Sequence, residues 1–153
     1  MKKNVIIAVL LVFLAGCSSL SGATQPVTEI AVEDVKSPEM GGAVIVLERS
    51  GGFAGTTEKY TIYPDGRVVA PNGEESMMAE EDVNTLLKDI EDMGFFEMKG
   101  SYGMLSTCND CYTYTLTVQA NGEVHTVSAV EGVSGTPDEF WQIIDEVNQL
   151  VTQ

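Results

Sequence analysis

The chain reads as an α+β protein: an antiparallel sheet of two hairpins plus an N-terminal strand, with two helices packed on one face. Three observations predict it. Two segments of hairpin chemistry, Pro64-Asp65-Gly66 and Ala120-Asn121-Gly122, each stand between short runs of strand character. Each hairpin is followed by one apolar stripe at helical spacing. The hairpins also rhyme, Tyr60-Thr61-Ile62-Tyr63 before the first turn and Tyr114-Thr115-Leu116-Thr117 before the second, which suggests a strand–strand–helix unit used twice. Convergent hairpin chemistry would leave the same likeness. A length of 153 residues suits a single such domain behind a leader.

Residues 1–16 have the pattern of a signal peptide. Met1-Lys2-Lys3 is basic, Val5 to Leu14 is apolar, and Leu14-Ala15-Gly16-Cys17 matches the lipobox of prokaryotic lipoproteins. The apolar run is too short to be a free-standing transmembrane helix. Small side chains at Ala15 and Gly16 fit a peptidase, and the Cys17 thiol is the nucleophile that takes the lipid. Of the 8 basic residues, cleavage removes Lys2 and Lys3 and leaves six against 23 acidic ones, a net charge of −17. Such a surface repels nucleic acid and anionic headgroups. Lipid on Cys17, not charge, is therefore expected to hold the protein at the membrane, outside the cytoplasm, where disulfides are permitted. Residues 17–42 read as a lipidated flexible tether, rich in Ser, Gly, Thr, Pro and Glu, with Ile30, Val32 and Val35 the residues that could add a short edge element.

The domain is expected over residues 43–153. Ala43 to Leu47 is apolar without alternation, as in a strand covered on both faces. Arg49-Ser50-Gly51-Gly52-Phe53-Ala54-Gly55 then reads as a loop of unusual backbone freedom. Glu58 to Tyr63 and Arg67 to Ala70 form a hairpin, with Asp65-Gly66 expected to supply a positive-φ pair. Val83, Leu86, Leu87, Ile90 and Met93 predict a helix with Glu80, Glu81 and Asp82 in its first turn, where the macrodipole favours negative charge. Gly94 stands in the C-terminal capping position, and at least one of Phe95 and Phe96 should enter the core. Lys99 to Asn109 is expected to be a loop. Tyr112 to Val118 alternates with threonines on the wetter face, and Glu123 to Ala129 returns. The last helix is expected to open on a capping box, with Thr136 as N-cap, Pro137 at N1 and Glu139 at N3.

Chemistry-bearing residues are few. Once Cys17 is lipidated, Cys108 and Cys111 are the remaining thiols. With His125 they offer at most three ligands where structural zinc takes four, and they precede a strand, whereas a redox-active pair sits at a helix N-terminus. A local disulfide pinning the loop fits best; a free or metal-binding pair and a redox-active pair are the alternatives. His125 stands alone on a strand, and no Gly-x-Ser-x-Gly, His-Glu-x-x-His, calcium loop or phosphate loop is present. No enzyme, metal or cofactor is expected. Phe53 has two readings. It can plug one end of the sheet, or it can be a finger for an apolar pocket of a partner. Nothing in the sequence indicates oligomers, so a monomer is expected.

Ser50-Gly51-Gly52-Phe53-Ala54-Gly55, the strand after it, the helix ending in Gly94-Phe95-Phe96, the Tyr-Thr-Leu-Thr-Val strand and the final helix together resemble the emfourin family, small proteinaceous inhibitors of thermolysin-family metalloproteases. The likeness covers roughly residues 43–151. The leader, the tether and the Cys108–Cys111 pair depart from the inhibitor pattern. A broader group of surface lipoproteins shares the strand-rich start, the helix ending in two phenylalanines and the second hairpin. If the resemblance extends to activity, the protein blocks a secreted zinc metalloprotease. Loop chemistry then places Ser50, Gly51, Gly52, Phe53, Ala54 and Gly55 in the cleft. The rival expectation is a lipid-anchored structural or interaction module of the envelope with no protease partner. An exposed Phe53 favours the binder, and a buried one favours the module.

Overall fold

The computed structural model describes residues 40–104 and 108–152. The expected lipidation at Cys17, the leader and most of the tether lie outside the described residues. The strands are β1 (Ile45–Gly51), β2 (Thr56–Ile62), β3 (Arg67–Val69), β4 (Glu75–Met77), β5 (Ser101–Tyr102), β6 (Tyr112–Ala120) and β7 (Glu123–Val130). The helices are α1 (Glu80–Asp92) and α2 (Asp138–Val151). One seven-stranded sheet has the order β4-β3-β2-β1-β6-β7-β5. All pairings are antiparallel except β5 with β7. The fold is thus α+β, as expected, with a short strand added at each edge.

β1 is the axis of the sheet. It pairs along its whole length with β2 on one side and β6 on the other, so the two hairpin units meet on it. Strand alternation sends Ile45 and Leu47 to one face, beside Ile62 on β2, Leu116 and Val118 on β6, and Val127 and Ala129 on β7. These residues form a single buried core with Val83, Leu86 and Ile90 of α1 and Phe140, Ile143, Ile144 and Val147 of α2. Both helices therefore cover the same face; of the stripe predicted for α1, Val83, Leu86 and Ile90 are buried and Leu87 and Met93 partly so. The other face carries Thr113, Thr115 and Thr117, bonded in a cross-strand ladder: Thr115 to Ser128 at 2.9 Å and Thr117 to Thr126 at 3.0 Å. Thr117 is only 1% exposed, drier than its side of the sheet led us to expect, because it sits mid-sheet between β1 and β7 with its hydroxyl satisfied.

The ends of the elements agree with the sequence in part. Gly94 takes φ 73°, its N–H bonds to Glu91 O at 2.9 Å, and Phe95 drops into the core fully buried, with Phe96 edge-on to it at 5.7 Å. At the first hairpin Gly66 alone has positive φ, and the expected Asp65-Gly66 pair does not form. Instead Asp65 Oδ1 accepts from the Arg67 N–H at 3.1 Å, and Gly66 passes so close to Met78 that a Cβ would lie 2.1 Å from its carbonyl oxygen. At the second hairpin Asn121 and Gly122 are both positive, as a two-residue turn of the favoured twist requires.

Two further expectations are corrected. The capping box at Thr136 is absent: α2 starts one residue later, with Pro137 as N-cap, no side-chain cap bond, and Thr136 Oγ1 buried without a partner among the described atoms. The extended φ and ψ of Pro137, −58° and 144°, keep it outside the helix. The stretch Lys99 to Asn109 is not all loop either. Ser101 and Tyr102 pair in parallel with Ser128 and Ala129 of β7, and Gly100 O accepts from the Ser128 N–H at 3.0 Å.

Candidate functional site

The stretch Arg49 to Gly55 is shorter as a loop than its glycines imply. Arg49, Ser50 and Gly51 continue β1, since each has a Cα partner on both neighbours: Ser50 faces Thr57 and Thr113, and Gly51 faces Thr56 and Tyr112. Four residues remain, Gly52-Phe53-Ala54-Gly55, closed by the Gly55 N–H to Gly52 O at 3.0 Å. Phe53 lies at the tip and is 96% exposed, the most exposed large apolar side chain among the described residues. The plug reading of Phe53 is thereby overturned, because nothing among the described residues buries the ring.

The second sequence feature lies against the first. Cys108 and Cys111 form a disulfide with Cα atoms 5.6 Å apart, immediately before β6. The antiparallel register of β1 with β6 puts the start of β6 beside the end of β1. Gly52 N–H donates to Cys111 O at 3.3 Å. A Cβ on Gly51 would lie 2.5 Å from that same oxygen, and one on Gly52 would lie 2.6 Å from Cζ of Tyr112. The two glycines are there because the strand end is pressed against a neighbouring backbone and ring, as well as for their positive φ of 112° and 68°. Gly55 has no such neighbour among the described residues.

Below the tip the helix-side face becomes polar. Following the alternation from Leu47, Arg49 stands between Glu58 and Tyr114. Its guanidinium bonds Glu58 at 2.5 Å and lies 4.8 Å from the centre of the Tyr112 ring. Its pKa is held above the ordinary arginine value, first by a hydrogen bond with Tyr114, then by Glu58, against partial desolvation. A raised pKa in the folded state contributes stability fully present below the unfolded value and lost only in strong alkali. The Arg49 guanidinium thus stays charged across the physiological range. A groove of about 260 Å³ runs from Arg49, Glu58 and Tyr60 to Asn148 and Thr152 at the end of α2. Arg49 and Tyr112 were missed as supports of the tip. Continuing the period of two from Ile45 and Leu47 would have found Arg49. Tyr112 follows from the pairing register, which a single sequence does not carry.

The remaining candidates are structural in their surroundings. His125 is half-buried on β7, with Nε2 at 2.9 Å from Met98 O and its ring edge-on to Phe95 at 5.4 Å. Among the described residues no group of three or more His, Cys, Asp or Glu side chains is arranged to hold a metal ion, and no helix is long and apolar enough to cross a membrane.

Fold and site together define a small α+β domain that presents a glycine-framed aromatic beside a disulfide loop. The chain belongs to the family described as a domain of unknown function, DUF6438, whose model matches residues 44–151, from just before β1 to the end of α2. No curated protein matches it.

Proposed function

We propose that the protein is a cell-surface lipoprotein, anchored by lipid on Cys17, that binds another protein through its β1–β2 tip and performs no catalysis itself. The partner we favour is a secreted zinc metalloprotease, with Ser50 to Gly55 entering its cleft and Phe53 filling an apolar subsite. The observation that carries this reading is the 96% exposure of Phe53 on a turn fixed by its own hydrogen bond. An aromatic side chain buries about 150–250 Å² when it enters a pocket, which at about 25 cal/mol per Å² is about 4–6 kcal/mol before ordering losses. Those losses are small where the loop is already held. The resemblance of residues 43–151 to the emfourin inhibitors supports the protease as partner, and the lipobox supports the anchor.

The test is inhibition of a thermolysin-like protease by the protein released from its anchor, wild type against Phe53→Ala. Inhibition by the wild type that falls about a hundredfold in Phe53→Ala is expected, in line with an anchor residue at a binding hot spot. Equal inhibition by both would remove Phe53 from the site. Absence of inhibition by both would leave the envelope interaction module as the better reading.

A further inference from the structure

The tip and the disulfide share one backbone oxygen. Gly52 N–H is bonded to the carbonyl of Cys111, a residue that is itself half of the Cys108–Cys111 bridge, and Gly51 is packed against the same atom. The bridge closes a ring over only four residues, so it restricts the backbone that aims this carbonyl. Cys108 is exposed and Cys111 half-buried, so the bridge lies within reach of a reductant in solvent. Tyr112, the next residue, provides the wall on which Gly52 rests and is itself held by the Arg49 guanidinium. Among the described residues no second support of this kind lies at the far side of the turn, where a Cβ on Gly55 would meet nothing within 4 Å.

We propose that the Cys108–Cys111 bridge is a redox-sensitive seat for the Phe53 tip: closed, it holds the turn in its binding orientation; opened by a dithiol reductant, it lets the turn go and lowers affinity for the partner. The regulatory half of this inference rests on the binding role proposed above; the positioning half does not. In the reduction, one thiolate of the reductant attacks Sγ of the exposed Cys108, forming a mixed disulfide, and Cys111 leaves as a thiolate that takes up a proton. The second thiol of the reductant then attacks the mixed disulfide and releases Cys108. Two electrons and two protons pass to the protein, and the reductant ends as a disulfide. Freeing the backbone of roughly one residue corresponds to an affinity loss of about tenfold.

The experiment uses the full-length protein in detergent micelles, oxidised or treated with dithiothreitol, with thiol titration confirming two new thiols. Amide hydrogen exchange is read at Gly52, whose N–H is bonded to Cys111 O, and, as an internal reference, at Leu116 and Val118. Inhibition of a thermolysin-like protease is measured in both states after the reductant is removed and the thiols are alkylated. The expected result is exchange at Gly52 about tenfold faster or more through local opening, exchange in β6 that follows only the change in global stability read by urea unfolding, and inhibition about tenfold weaker. A Cys108→Ser/Cys111→Ser variant should behave as the reduced protein does and ignore the reductant. Unchanged exchange at Gly52 overturns the seat. Exchange at Gly52 that rises only as far as the loss of global stability requires also overturns it, because the bridge would then support the whole fold and not the tip. Faster tip exchange with equal inhibition in both states overturns the regulation. Faster tip exchange with no inhibition in either state keeps the seat and removes the protease reading instead.

Discussion

Replacing Gly51 by alanine should be several-fold more damaging than replacing Gly55, although both glycines have positive φ and frame the same phenylalanine. At Gly51 two terms add. Its φ of 112° is sparsely populated by residues with a Cβ, a strain of about 1–3 kcal/mol. The new Cβ would also lie 2.5 Å from Cys111 O, a backbone atom with little room to retreat. Relief requires the strand end and the disulfide loop to separate by about half an ångström, which weakens the Gly52 N–H bond to that oxygen, about 1 kcal/mol. The sum is about 2–4 kcal/mol. At Gly55 the φ of 59° is the ordinary left-handed well and a Cβ meets open space, so only about 1 kcal/mol is expected. Urea unfolding followed by Trp141 fluorescence measures both, and the midpoints should move with the slope unchanged. A Gly51→Ala variant no less stable than Gly55→Ala would refute the claim that the tip is pressed onto the disulfide loop.

Other outcomes follow from the same contacts. Phe53→Ala should leave the unfolding midpoint within about 0.5 kcal/mol of wild type, since the ring touches water, while Phe95→Ala, which empties the fully buried ring site under α1, should cost about 3–5 kcal/mol in the same titration. The Cys108→Ser/Cys111→Ser variant should lose about 2 kcal/mol or less, the loop-closure value for so short a ring, and remain folded by circular dichroism. Thr117→Val should destabilise by about 1 kcal/mol through the hydroxyl stranded on Thr126, and Thr126→Val should be nearly silent in that background, as a double-mutant cycle will read.

The sequence foretold what depends on local chemistry. The stripe from Val83 to Met93, the Gly94 cap with Phe95 behind it, and the Asn121-Gly122 turn are set by neighbours a few residues away, and each stands as expected. What it did not foretell depends on distant pairing. β1 runs on through Ser50 and Gly51 because β2 and β6 both supply partners, and β5 exists because β7 has a free edge beside Gly100 and Ser101. The Thr136 box failed for a different reason. The motif was present, but the chain enters α2 from Pro137 in an extended conformation, so the threonine never reaches the helix amides. At the site, the aromatic tip and the bridged cysteines were each visible as residues. Their meeting was not, since it follows from the register of Gly51 opposite Tyr112.

The central place of β1 also has a kinetic side. Its second neighbour, β6, lies roughly sixty to seventy residues further along the chain, so the middle of the sheet cannot close until most of the polypeptide is available. A nascent chain that has reached only the first helix holds strands β1 to β4, with the edge of β1 that takes β6 still bare, and half a core. The architecture itself postpones compaction until the last strands have arrived.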